Sequence, residues 1–210
     1  MLQDRNRKGI KINRIFTRGG SNPFDMVEWE KRRASIVGDK GELIFVQDNV
    51  EVPQDWSMLA TNIVASKYFY GAHGTSEREY SVRQLVHRVV RTITDWGLKD
   101  GYFAGVEDAE NFYSELAWVC INQYGAFNSP VWFNVGLHHV YGHSSPTRTS
   151  YCWSKEQHKV VTVDDAYKYP QASACFIQSV DDTMEDIMRL AASEAIIFKY
   201  GSGTGTDLST

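Results

Sequence analysis

Gln171-Ala172-Ser173-Ala174-Cys175-Phe176-Ile177-Gln178, followed after a helical stretch by Gly201-Ser202-Gly203-Thr204-Gly205-Thr206, is the part of the sequence that decides the fold. Ala174 to Val180 is a short β-prone run. Thr183 to Tyr200 reads as a helix, capped by Thr183 with Asp186 three residues on and stopped by Gly201. The glycine-rich stretch then reads as a loop leading into Asp207-Leu208-Ser209-Thr210, the start of another strand. Strand, helix, loop and strand make half of an α/β architecture, and parallel strands need both faces covered. The expectation is an α/β domain that this sequence enters without finishing.

Working upstream, residues 137 to 170 are polar and without a period, so they are expected as an insertion loop carrying Cys152. Val131 to Val135 is expected as a buried strand, set off by the helix-breaking Asn128-Ser129-Pro130. Three helices precede it. One runs from about Asp108 to Tyr124 with Phe112, Tyr113, Leu116, Ala117, Cys120 and Tyr124 inward, making Cys120 a core thiol. Another starts at the cap Ser81, stripes Val82, Leu85, Val86, Val89, Val90, Ile93 and Trp96 along one face, and closes at Gly97. The first spans Trp56 to Phe69 with Leu59, Ile63, Val64 and Tyr68 inward. Ala34 to Val37 and Glu42 to Val46 flank Gly38-Asp39-Lys40-Gly41 as a hairpin. Before them lies an extended arm anchored by Phe24, Val27 and Trp29, its basic residues Arg5, Arg7, Lys8, Lys11, Arg14 and Arg18 solvated.

The 210 residues are 42% hydrophobic and 23% charged, enough for one good core or two small ones. A net charge of -4 calls for neither nucleic acid nor a membrane surface as partner, and makes a small molecule the easier substrate. The basic start is not followed by an apolar secretory core, and no run approaches the roughly 18 apolar residues of a membrane span. A cytoplasmic protein is expected. Cys120, Cys152 and Cys175 are odd in number and lack CxxC spacing, so they read as reduced thiols. The six histidines show no ligand spacing, and no metal site is expected.

Taken singly, the chemistry-bearing residues are ambiguous. The glycine-rich stretch follows a helix instead of opening one and lacks a phosphate-loop lysine, so it reads as a tight turn more readily than as a phosphate cradle. Glycine still permits close approach, and a base or ribose could lie against Gly203. Cys175 reads first as a small buried hydrophobe, and Ser129 as a local hydrogen bonder before proline.

The ordered set of motifs is more specific. Trp29-Glu30-Lys31-Arg32, the Trp56-Ser57 helix ending in Lys67-Tyr68-Phe69, Ser81-Val82-Arg83-Gln84 and Asp95-Trp96-Gly97-Leu98 come first. They are followed by Ala126-Phe127-Asn128-Ser129-Pro130-Val131-Trp132-Phe133-Asn134, by the Gln171 to Gln178 run and by Gly201-Ser202-Gly203-Thr204-Gly205. From about Ile12 to the last residue, the chain resembles the class II, adenosylcobalamin-dependent ribonucleotide reductases.

The resemblance implies an α/β fold in which a helical amino-terminal region packs on a ten-stranded reductase barrel, here incomplete. The corresponding divisions are an arm with hairpin at 1–55, the helical region at 56–127 and the start of the barrel at 128–210. It implies that Cys175 is one of two redox cysteines that reduce the ribose and become a disulfide. Ser129, Ala174, Cys175 and Gly203 are implied as substrate contacts. Adenosylcobalamin is the implied cofactor, held mostly by parts outside this chain. The implied partners are a ribonucleotide, a carboxy-terminal reductase segment and a thioredoxin-like or dithiol reductant, with a homodimer compatible. The alternative is a catalytically inactive fragment that binds a nucleotide or a partner.

Overall fold

The computed structural model describes residues 9–199 and 201–209, apart from the side chains of Arg148 and Thr149. Arg5, Arg7, Lys8, Tyr200 and Thr210 thus lie outside the described residues. The chain forms two compact units. One comprises Met1–Ala126 with His139–Tyr141, the other Phe127–His138 with Gly142–Thr210.

The first unit is built around a hairpin and two helices. Strands β1 (Trp29–Val37) and β2 (Leu43–Pro53) pair antiparallel, extending further than the sequence suggests at the end away from the turn. The register shifts between Arg32 and Ala34, where Asn49 takes a φ of 57°. Asparagine is among the few residues that adopt such a bulge without large strain. Helix α1 (Met58–Ile63), capped by Ser57, loosens into a π-turn over Val64–Tyr68. Its inward face is Thr61, Val64, Ala65 and Phe69, whereas Leu59, expected inside, is 70% exposed.

Helix α2 (Val82–Lys99) begins as expected, with Ser81 and Gln84 forming a reciprocal capping box. It buries Val82, Leu85, Val86, Val89 and Val90, but Trp96 remains exposed. Gly97 does not end the helix. A β-carbon there would sit 2.7 Å from the Phe103 ring, so glycine serves close packing, and Gly101, with φ 72°, makes the left-handed turn. Helix α3 (Val106–Ile121) packs on α2 and buries Ala109, Ala117, Cys120 and Ile121; Tyr124 lies beyond its end, 74% exposed. Cys120 is the core thiol expected.

The arm lies along α3. Glu115 accepts the backbone N–H groups of Ile15, Phe16 and Thr17 at 2.8–2.9 Å and the Thr17 hydroxyl at 2.5 Å. Burial pushes its carboxyl up, but these bonds outweigh that and hold it below its ordinary value. Arg14 is not solvated, since its Nε donates to Asn111 Oδ1 at 2.7 Å. Phe24 is buried, accepts the Trp29 indole N–H on its carbonyl, and anchors the arm as expected, while Val27 is half-buried.

Beyond Ala126 two expectations are corrected. Residues 131–135 are not a strand but lie in and just after helix α4 (Ser129–Asn134). Pro130 sits in its first turn, where a missing N–H is harmless, and Asn128 Oδ1 accepts from the Val131 N–H. Residues 137–170 are not a loop. They form the short α5 (Leu137–Tyr141) and an antiparallel hairpin of β3 (Pro146–Ser154) and β4 (Lys159–Asp165). Its Thr, Val and Tyr residues are good strand formers despite the polar average.

Strand β5 (Cys175–Ser179), helix α6 (Met184–Lys199) and strand β6 (Gly203–Asp207) complete the second unit, with β5 and β6 parallel. Thr183 Oγ1 accepts the Asp186 N–H at 3.2 Å, and Gly201 has the expected left-handed φ of 80°. The glycine-rich stretch is therefore itself the second strand, not a loop before one. No residue of α6 is buried, and the α/β character stands.

Candidate functional site

The β5–β6 register sets Cys175 opposite Gly203, Phe176 opposite Thr204 and Ile177 opposite Gly205. Side chains alternate along a strand, so Cys175, Ile177, Gly203 and Gly205 share one face. The other face belongs to α6, because Thr206 Oγ1 donates to Glu194 Oε1 at 3.1 Å. Gln178 reinforces that side by donating to Thr204 Oγ1 at 2.8 Å. Cys175 consequently looks away from α6, and the β6 positions across from it and from Ile177 are glycines, which add no side chain beside the thiol.

Three of the four expected site residues meet here. The Gly203 N–H donates to the Ala174 carbonyl at 2.6 Å, and a β-carbon at Gly203 would stand 3.9 Å from the Cys175 sulfur. The thiol is exposed, not the buried hydrophobe of the simplest reading. Among the described residues β5 pairs with β6 alone, and on the Cys175 face Ile177 is 87% exposed.

Ser129 opens α4, and α4 is tied to the same region from its other end. Asn134 Nδ2 donates to the Gln171 carbonyl at 2.9 Å. The Gln171 amide in turn donates to Ser202 Oγ and the Ser173 carbonyl, and accepts the Ser173 N–H. Gln171, Ser202 and Asn134 belong to the motif runs that carry the resemblance, but the sequence assigned them no role at the site.

The other thiols differ in setting. Burial pushes the Cys120 thiol up to about 12, leaving it inert at neutral pH, while Cys152 lies half-buried on β3. Among the described residues no three His, Cys, Asp or Glu side chains come together as a metal site. No helix among them is long and apolar enough to cross a membrane.

Comparison with known proteins bears on both units. A family profile described as "Class II vitamin B12-dependent ribonucleotide reductase" matches residues 30–123, from β1 through α3. A second, "Ribonucleotide reductase, barrel domain", matches residues 173–210, the β5–α6–β6 segment. Similar curated proteins, each named vitamin B12-dependent ribonucleotide reductase, come from Rhodopirellula baltica, Streptomyces coelicolor and Bradyrhizobium diazoefficiens. The first is 56% identical over 206 residues, covering 97% of this chain and 20% of the relative. The second is 42% identical over 203 residues, covering 96% and 18%. The third is 35% identical over 237 aligned positions, covering 95% and 19%. The chain thus spans about a fifth of the length of these relatives.

Vitamin B12 stands in the relatives' names. The imidazoles of His87, His138 and His139 each turn one ring nitrogen to a partner within the chain, Tyr113 Oη, the His143 carbonyl and Asp95 respectively, as imidazoles that ligate a metal through the other nitrogen also do. The matched profiles and the relatives agree along both units, and the chain belongs to the class II vitamin B12-dependent ribonucleotide reductases, of which it carries the amino-terminal portion.

Proposed function

We propose that this chain supplies the substrate side of a cytoplasmic enzyme that reduces ribonucleotides to 2'-deoxyribonucleotides, and that Cys175 is one of its two redox thiols. The observation that carries the reading is the Cys175–Gly203 rung, where an exposed thiol and the glycines Gly203 and Gly205 share one face of the strand pair. Such a surface admits a flat or saccharide ligand against the backbone. Ala174 and Gly203 are the backbone contacts beside the thiol, and Ser129 offers a hydroxyl from the start of α4.

In this reading Cys175 and a second thiol together give two electrons and two protons to the ribose. The 2'-hydroxyl departs as water, the carbon gains hydrogen, and the two sulfurs join as a disulfide. A thioredoxin-like protein or small dithiol then reduces that disulfide and is itself oxidised. Adenosylcobalamin, when bound by the rest of the reductase, supplies the radical chemistry that starts the reaction. The exposed apolar side chains Ile177, Met188, Ile196 and Phe198 favour burial against further strands and helices of a ten-stranded barrel.

The test is reconstitution. The chain is mixed with a carboxy-terminal reductase segment, coenzyme B12, a ribonucleotide and a dithiol, and deoxyribonucleotide is measured. The wild-type mixture is expected to turn over and Cys175→Ser to be inactive while still binding nucleotide. Undiminished turnover by Cys175→Ser overturns the role given to the thiol.

A further inference from the structure

We propose that Gln171 is a positioning residue, whose side-chain amide locks the Cys175 strand in register with the Gly203 strand; this rests on the reading of those two residues given above. Gln171 lies outside every helix and strand, yet its amide bonds inward. Its Oε1 accepts the Ser173 N–H at 2.5 Å, and its Nε2 donates to the Ser173 carbonyl at 2.9 Å and to Ser202 Oγ at 3.0 Å. Ser202 is buried and donates to the Ser173 carbonyl at 2.7 Å, closing the ring. The clamp therefore grips Ser173 and Ser202, the residues immediately before Ala174 and Gly203.

A lock is needed there. Two parallel strands of five residues form a weak pair, and β6 brings glycine at two of its three positions on the Cys175 face, so side-chain packing does little to set the register. Slippage by one residue would turn Cys175 to the α6 face. Only a primary amide offers an acceptor and two donors at this reach: glutamate loses the donors, and asparagine is one methylene short. The Gln171 carbonyl also accepts from Asn134, so the same residue ties in the helix that begins at Ser129.

The experiment compares Gln171→Ala, Gln171→Glu and Ser202→Ala with wild type in the complete reductase carrying this segment. Gln171→Ala is expected to lower kcat/KM about tenfold or more, mainly through KM, because Ala174 and Gly203 are binding contacts. Amide exchange at Ser173 and Gly203 should quicken, while exchange in α2 and the melting temperature stay as in wild type. Gln171→Glu, keeping the acceptor alone, should fall between the two. Ser202→Ala leaves both Gln171–Ser173 bonds and should shift KM in the same direction by less. A folded Gln171→Ala with wild-type KM and exchange overturns the clamp; should that variant not fold, wild-type KM and exchange in Ser202→Ala do so. Cys175→Ser run alongside separates the claims. Full turnover there removes the underlying reading, whereas lost turnover there with an unaffected Gln171→Ala removes the clamp alone.

Discussion

Cys175 and Gly203 form the first rung of the parallel β5–β6 pair, and a methyl group added at Gly203 would stand 3.9 Å from the Cys175 sulfur and 3.6 Å from the Ala174 carbonyl oxygen. Both are ordinary contacts, and the backbone at Gly203 is not in the left-handed region. Alanine therefore fits the fold but fills the space proposed for the nucleotide. Gly203→Ala should melt as wild type does, while ribonucleotide affinity falls about ten- to a hundredfold, the equivalent of an overpacking penalty of about 1–3 kcal/mol. Calorimetric titration of the complete reductase checks this; unchanged affinity removes Gly203 from the binding site.

The three thiols should react in the order of their exposure. At pH 8 about one Cys120 thiol in ten thousand is ionised, given burial that pushes it up to about 12. Iodoacetamide should label exposed Cys175 first, half-buried Cys152 next and Cys120 only as the chain unfolds. Mass spectrometry of timed samples reads the order. Native-state labelling of Cys120 as fast as that of Cys175 would contradict the packing of α3.

Much of this fold was legible because local chemistry and packing agreed. Ser81, Gly38 to Gly41, and Thr183 with Asp186 announce their elements, and tertiary contacts leave them in place. The failures occurred where one residue type serves two purposes. Pro130 reads as a breaker but starts α4, Gly97 reads as a stop but admits Phe103, and Gly203 to Gly205 read as a turn but form a strand. The resemblance named the site residues Ser129, Ala174, Cys175 and Gly203. It did not name the Gln171 network, whose bonds join segments far apart in sequence and follow no period.

Glu79 and Arg88 are fully buried and paired at 2.8 Å, and Tyr141 donates to the same carboxylate at 2.8 Å. Removing one partner leaves a charge without compensation, so Arg88→Met should destabilise the first unit by about 3–5 kcal/mol. Tyr141→Phe removes a neutral hydroxyl that bonds the Glu79 carboxylate and the Gln84 carbonyl and should cost about 1–2 kcal/mol. Urea unfolding followed by α2 signals distinguishes them. Equal losses would mean that the ion pair is not the principal support.

Asp165 holds the base of the second hairpin. Burial pushes its carboxyl up, but the Ser145 N–H, the Ser144 hydroxyl and the N–H groups of Tyr167 and Lys168 outweigh that and hold it at about 2. A carboxyl lowered on folding stabilises fully above its unfolded value of about 3.9, and that contribution is lost as pH falls toward about 2. Protection factors at Ser145 and Tyr167, meaning exchange corrected for its intrinsic pH-dependent rate, should fall as pH is lowered through that window and be flat from pH 5 to 7. An Asp165→Asn chain should lose the pH dependence.

The most direct test is a single turnover of the complete, prereduced reductase without external dithiol, followed by acid quench, alkylation and mass spectrometry of the Cys175 peptide. One disulfide containing Cys175 should form for each deoxyribonucleotide produced. Product formed while Cys175 remains fully alkylatable would contradict its role as a redox thiol.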